Sequence, residues 1–197
     1  MNQLDLDYQN LLRDILDNGV EKNTRNGQTI SVFGRSIRYK FKDGKFPLLT
    51  TKKMYFKGIC VELLWFLRGS TQGRELIKDD CHIWDGDMYA NYIKEYDLHE
   101  SGRVLSKKEF INRIKTDDEF ANKWSDLGPL YGKQWRDWGE DTGVKIDQIQ
   151  NLINDLKTNP DSRRLLVSAW NPADLSRQVL PPCHYGFQVY TRELSLE

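Results

Sequence analysis

Three cysteines and three histidines are all the soft or imidazole side chains this 197-residue chain has, and its 29 Lys and Arg are balanced by 29 Asp and Glu. A net charge of zero removes the global basic field that holds a nucleic-acid backbone, so no DNA partner is expected and any phosphate contact must be local. Cys60, Cys81 and Cys183 fall at no metal-ligand spacing, and their odd number argues against a closed disulfide framework. The expectation is therefore no metal and a reducing, cytoplasmic setting. No apolar run approaches the roughly 20 residues of a membrane-spanning helix. The N-terminal stretch has Asp5 and Asp7 among its leucines and lacks the pattern of a signal peptide. Neither internal repeats nor low-complexity segments occur.

What is present is 39% apolar residues, 12% of the chain being aromatic, enough for one sizeable core and a single domain over 1–197. Leu4, Tyr8, Leu11, Leu12, Ile15 and Leu16 recur at helical spacing before Gly19, which predicts an amphipathic first helix with an ordinary core face. Two β-prone runs, Thr29 to Phe33 and Ser36 to Phe41, flank Gly34-Arg35 and predict a hairpin. The run from Gly58 to Gly69 is apolar on nearly all sides and reads as a buried helix ended by its glycine. Between about 87 and 127 the composition becomes charged, yet Phe110, Ile111, Ile114, Phe120 and Trp124 remain as anchors; this is expected to be a helical insertion. Ile149, Leu152, Ile153 and Leu156 predict another helix, closed by Asn159-Pro160, and residues 164–170 and 183–191 read as strands.

Residues that carry chemistry are few. In Leu180-Pro181-Pro182-Cys183-His184-Tyr185, two prolines hold the backbone before a cysteine almost rigid, which suits a thiol that attacks a ligand. Arg163-Arg164, at the mouth of the preceding strand, would favour its thiolate. The bland alternative is a small hydrophobe after a turn. Glu62 shares a helical face with Ile59 and Phe66, so its carboxylate is either the partner of a buried cation or a general acid–base group with a raised pKa. Arg25, on a glycine-containing turn, is either a solvated loop cation or an anion clamp. Ile83-Trp84-Asp85 offers an aromatic platform, and 127–136 reads as a glycine-punctuated loop that presents Tyr131 and Trp135 at a cleft wall. His82 and His99 have no partner pattern. No positioned histidine and acid accompany Cys183, which disfavours a cysteine hydrolase.

Taken together, Arg25, Phe46-Pro47 with Thr50-Thr51-Lys52-Lys53, Glu62-Leu63-Leu64-Trp65-Phe66-Leu67, Ile83-Trp84-Asp85, Tyr131-Gly132-Lys133-Gln134-Trp135-Arg136, Ser162-Arg163-Arg164, Trp170-Asn171-Pro172 and Pro182-Cys183-His184 resemble the thymidylate synthase family, in that family's order. The resemblance implies an α/β (α+β) fold with a large mixed sheet, helices on one face and a dimer on the other. It also implies methylation of dUMP with 5,10-methylenetetrahydrofolate by a homodimer with shared active sites. Cys183 would be the nucleophile and Glu62 the acid–base group acting through ordered water. Arg25 would clamp the substrate phosphate, joined by Arg163 and Arg164 from the other subunit. Trp84, with Ile83 and Leu180, would line the folate pocket, Lys52 would meet the glutamate tail, and Tyr131 and His184 would flank the nucleophile.

Two features depart from the resemblance. Tyr55 stands where many members have a folate-contacting histidine. The family's later segments, which read the pyrimidine and ribose and close over the cofactor, do not appear, so a chain of this extent is expected to be no competent synthase. A non-catalytic nucleotide-binding dimer and a deoxyuridylate hydroxymethylase are the alternatives.

Overall fold

The computed structural model describes residues 2–24, 27–41, 45–99, 103–139 and 143–193, with the backbone alone at 97–99. These divide into two compact units, Met1–Tyr55 and Phe56–Glu197. No helix among the described residues is long and apolar enough to cross a membrane.

In the first unit, helix α1 (Gln3–Asn18) starts where the Asn2 side chain accepts the Asp5 amide, and stops at Gly19 as its spacing predicts. Its apolar face is less enclosed than expected: Leu4, Tyr8, Leu11 and Ile15 are half-buried, while Leu12 and Leu16 are exposed. The wholly buried side chain is Asp5, which accepts the Thr50 amide at 2.8 Å and the Thr50 hydroxyl as well. The hydroxyl bond, then the amide, holds that carboxyl below its usual range, so the buried charge is satisfied. The hairpin lies earlier than the β-prone runs suggest. Strand β1 (Val20–Thr24) pairs antiparallel with β2 (Gly27–Ser31), and Thr24 faces Gly27. Asn26-Gly27 is the stronger turn signal, because Gly27 takes φ 98°, open to glycine and poorly tolerated elsewhere. Residues 32–41 join no ladder among the described residues, and Phe33 and Phe41 stay exposed.

The second unit holds helix α2 (Phe56–Arg68), α3 (Gly73–Lys78), α4 (Asp85–His99), α5 (Lys107–Thr116), α6 (Asp118–Trp124), α7 (Tyr131–Arg136) and α8 (Gln148–Thr158). A short antiparallel ladder joins β3 (Leu166–Ser168) to β4 (Gly186–Gln188). The core draws Trp65 and Phe66 from α2, Leu76 and Ile77 from α3, Met88 and Tyr92 from α4, Phe110 and Ile114 from α5, and Val167 from β3. Each such side chain, fully enclosed, contributes about 1.5–3 kcal/mol. Helix α2 ends at Gly69 (φ 79°), but it is not buried all round. Trp65 and Phe66 face inward while Leu63 and Leu64, on the other side of the helix, are about half exposed.

The stretch around 87–127 forms the expected helices. Ser106 and Glu109 make a reciprocal capping box at α5, and Asp117 caps α6 by accepting the Phe120 amide. Tyr92, Phe110 and Phe120 then pack as one aromatic group, Tyr92 and Phe110 with ring centres 4.8 Å apart.

The fold is thus α+β, but the expected large mixed sheet is replaced, among the described residues, by two two-stranded sheets. A strand persists only while its backbone groups find ladder partners. At 169–170 two successive amides, of Ala169 and Trp170, converge on the one Tyr185 carbonyl, which ends regular pairing and leaves Cys183 and His184 outside the strand expected to begin with them.

Candidate active site

The site is assembled on the turn that closes α2. Gly132 in α7 lies so near that turn that a Cβ there would stand 2.9 Å from the Ser70 carbonyl oxygen and 3.0 Å from that of Phe66. Only glycine admits this approach. It seats the Tyr131 ring 4.6 Å from Phe66, both being nearly inaccessible to solvent. Within the expected loop 127–136, Tyr131–Arg136 is therefore a short helix, and Trp135 is core rather than cleft wall. Pro129 explains the difference: it ends the extended chain and the helix begins two residues later.

From this buried position the Tyr131 hydroxyl accepts the Cys183 backbone amide at 2.7 Å, and its ring stacks on His184 at 4.1 Å between centres. Pro182 is buried and Cys183 itself is exposed, so a backbone fixed on one side by proline and tyrosine presents its thiol outward. Burial raises the Tyr131 hydroxyl, opposed by its bonds to the Cys183 and His184 backbone, with smaller upward pushes from the charges of Cys183 and Glu62. Those pushes put the thiol and the carboxylate each within electrostatic reach of the phenol. Burial also lowers the His184 imidazole, favouring its neutral form.

Glu62 projects from α2 one turn before Phe66 and accepts the Trp84 indole N–H at 2.7 Å. Burial raises the Glu62 carboxyl, and the partner that opposes the rise is the neutral Trp84 indole rather than a cation. Trp84 is itself largely enclosed, while Ile83 beside it is 49% exposed and Leu180 half-buried.

Arg163 and Arg164 are not brought to Cys183. The register pairs Leu166 with Gln188 and Ser168 with Gly186, so the arginines precede one end of the ladder and Cys183 precedes the other. Seven or so extended residues separate them, on the order of 20 Å. Within one chain the expected cationic neighbour of the thiol is therefore missing; Arg163 instead lines a cleft of about 430 Å³ with Asp161, Gln188 and Tyr190. In the first unit Lys52 and Tyr55 are both exposed. Arg25 lies outside the described residues.

One group that sequence reading leaves unassigned is His82. Its ring meets Asp85 at 2.9 Å through Nδ1 and Asp80 at 3.3 Å through Nε2. The only sequence signal is the spacing of three residues between His82 and Asp85, which becomes informative once Asp85 opens a helix.

Two expected results test these placements. Glu62→Gln keeps the indole acceptor and removes the titration. Because the folded carboxyl is raised, the native state holds its proton to higher pH than the unfolded chain. Wild-type stability attributable to Glu62 is thus present at low pH and lost as pH climbs from the ordinary glutamate value through the raised one. Chemical denaturation should find the variant more stable than wild type near neutrality and the difference gone below about pH 4. Tyr131→Phe leaves the Cys183 amide without its acceptor. Stability should fall by about 1 kcal/mol, and alkylation of Cys183 should accelerate as its backbone loosens.

The family model described as thymidylate synthase matches residues 6–197. The thymidylate synthase of Mesoplasma florum is 47% identical over 184 residues, that of Zymomonas mobilis 45% and that of Sinorhizobium fredii 43%, each alignment taking in 93% of this chain. The chain spans about 60% of the length of these curated relatives.

Proposed function

The chain belongs to the thymidylate synthase family, and from that premise we propose that it serves the conversion of dUMP to dTMP in the cytoplasm, with 5,10-methylenetetrahydrofolate as cosubstrate. The observation that carries this reading is the outward thiol of Cys183 on a backbone held by Pro182 and by the Tyr131 hydroxyl, a phenol that the half-buried carboxyl of Glu62 also reaches electrostatically.

C5 of uracil is a weak nucleophile until electron density is pushed into it. Addition of the Cys183 sulfur to C6 does so: the S–C6 bond forms, and the displaced pair gives C5 and its carbonyl enolate character. Glu62, raised by burial, is suited to hold a proton near the pyrimidine carbonyl, directly or through water, and Trp84 keeps that carboxyl aimed. Neutral His184 and the Tyr131 hydroxyl line the thiol's inner side without adding charge. The cosubstrate supplies the one-carbon unit and the hydride. The residues present fit it: Ile83 offers exposed apolar surface beside an indole that is already hydrogen-bonded to the acid–base group. Lys52, Tyr55 and Leu180 are the further contacts we assign to it, and no metal is called for.

The placement of the arginines supports a homodimer. Arg163 and Arg164 are too far from Cys183 to clamp the phosphate of a nucleotide bound there in the same chain, so we assign them, with Arg25, to a phosphate shared with a second copy. The outward face of β3, with Leu166 more than half exposed and Trp170 just beyond it, supplies apolar surface for such a contact. We read 1–197 as one family domain with 87–127 inserted, since the aromatic group of α4 to α6 packs on itself.

The test combines absorbance of dihydrofolate in the presence of dUMP and cosubstrate with protection of Cys183 from alkylation by dUMP. Product dTMP and protection support the reading. A 5-hydroxymethyl product would reassign the reaction to a hydroxymethylase, and a thiol that dUMP leaves unprotected would overturn the site.

A further inference from the structure

His82 lies outside the chemistry above, yet both its ring nitrogens face carboxylates, and it sits two residues before the indole that holds Glu62. The backbone is shaped for this contact. Asp80 takes φ 61° just after α3, the left-handed position where helices usually end in glycine. A non-glycine residue there costs about 1 kcal/mol, and the carboxylate it brings meets His82. Asp85, 8% exposed at the first turn of α4, is the other jaw.

We propose that His82 is a positioning residue: clasped between Asp80 and Asp85, it fixes the 80–85 turn so that the Trp84 indole stays on Glu62. This rests on the proposed role of Glu62. An imidazolium donates to both carboxylates at once, whereas a neutral ring donates to one and turns a lone pair toward the other. The clasp is therefore doubly closed around a charged ring and half open around a neutral one. The other charges around it are Lys57 from α2, 3.7 Å from Asp80, and Lys107 from α5, whose charge acts on Asp85. Asp79 is engaged with Arg68 at 3.9 Å, Glu62 lies beyond Trp84, and the Cys81 thiol points to the Gly58 carbonyl. Burial raises the Asp85 carboxyl, with the His82 contact as the largest opposing influence, so its ionisation leans on His82.

The test is the indole N–H resonance of Trp84 in protein labelled with ¹⁵N-tryptophan, assigned by Trp84→Phe and followed from pH 5 to 8 with its solvent exchange. Wild type should show a pH-dependent shift and slow exchange. His82→Ala should quicken exchange about tenfold and flatten the shift, and His82→Gln, with one donor left, should restore slow exchange without the pH dependence. Asp80→Gly suits the turn yet removes one jaw, so it should loosen the indole while retaining or raising the melting temperature. That combination would not arise from a purely structural role. An indole with the same shift and exchange in wild type, His82→Ala and Asp80→Gly at every pH would overturn the proposal. A responsive indole in a protein whose Cys183 is not protected by dUMP would retain the clasp and refute the functional reading instead.

Discussion

Cys183→Ala is expected to remove whatever dTMP formation the proposed site supports, by at least about three orders of magnitude, while leaving the fold intact. In the proposed reaction the sulfur is the atom that activates C5. Cys183→Ser should be nearly as inactive, since a hydroxyl without a general base is a poor nucleophile. Because Cys183 is exposed and its amide contact to Tyr131 is backbone, both variants should melt within about 0.5 kcal/mol of wild type. Dihydrofolate absorbance beside a denaturation curve measures the two quantities separately. Turnover surviving in the alanine variant would sink the nucleophile assignment, and a large stability loss would mean the thiol is packed rather than presented.

The second large effect concerns stability. Phe110 is fully enclosed and touches the rings of Tyr89, Tyr92 and Phe120, at 5.6, 4.8 and 5.7 Å between centres. Phe110→Ala removes that hub, and the rings around it belong to α4 and α6 as well as α5. The cost should be about 3–5 kcal/mol, read as a fall in denaturant midpoint. Amide exchange would locate the loss. Protection should disappear across α4 to α6 and persist in α2, α7 and α8 if 87–127 is an insertion with its own cooperative packing. Uniform loss of protection in every helix would show instead that one core spans them all.

Local regularities were legible in the chain itself. Gly19, Gly69 and Asn159 end helices where the apolar spacing stops; Ser106, Asp117 and Asp147, which that spacing did not single out, begin them, because a capping side chain acts on amides within three residues of itself. The chemistry-bearing residues were legible too: a carboxylate among apolar neighbours at Glu62 and a cysteine behind paired prolines both stand out before any folding is considered. The extent of the strands was not. Residues 32–41 and 183–191 have strand-like patterns, yet a strand is decided by its partner's register, which pattern alone does not contain.

The amino-acid sequence by itself determined most of the longer helices, where they stop, and which side chains are chemically out of place, since capping, periodicity and desolvation are short-range effects, though it did not mark the short α7. Only tertiary structure decided who meets whom. It buried Tyr131 so that its hydroxyl reaches the Cys183 amide, set Trp84 on Glu62 across 22 residues, and held His82 between two carboxylates. It also carried Arg163 and Arg164 to the far end of a ladder from the thiol they seemed, in sequence, to serve. Those outcomes depend on close approach at Gly132 and on strand register, quantities set when distant segments pack and invisible in the order of residues along either one.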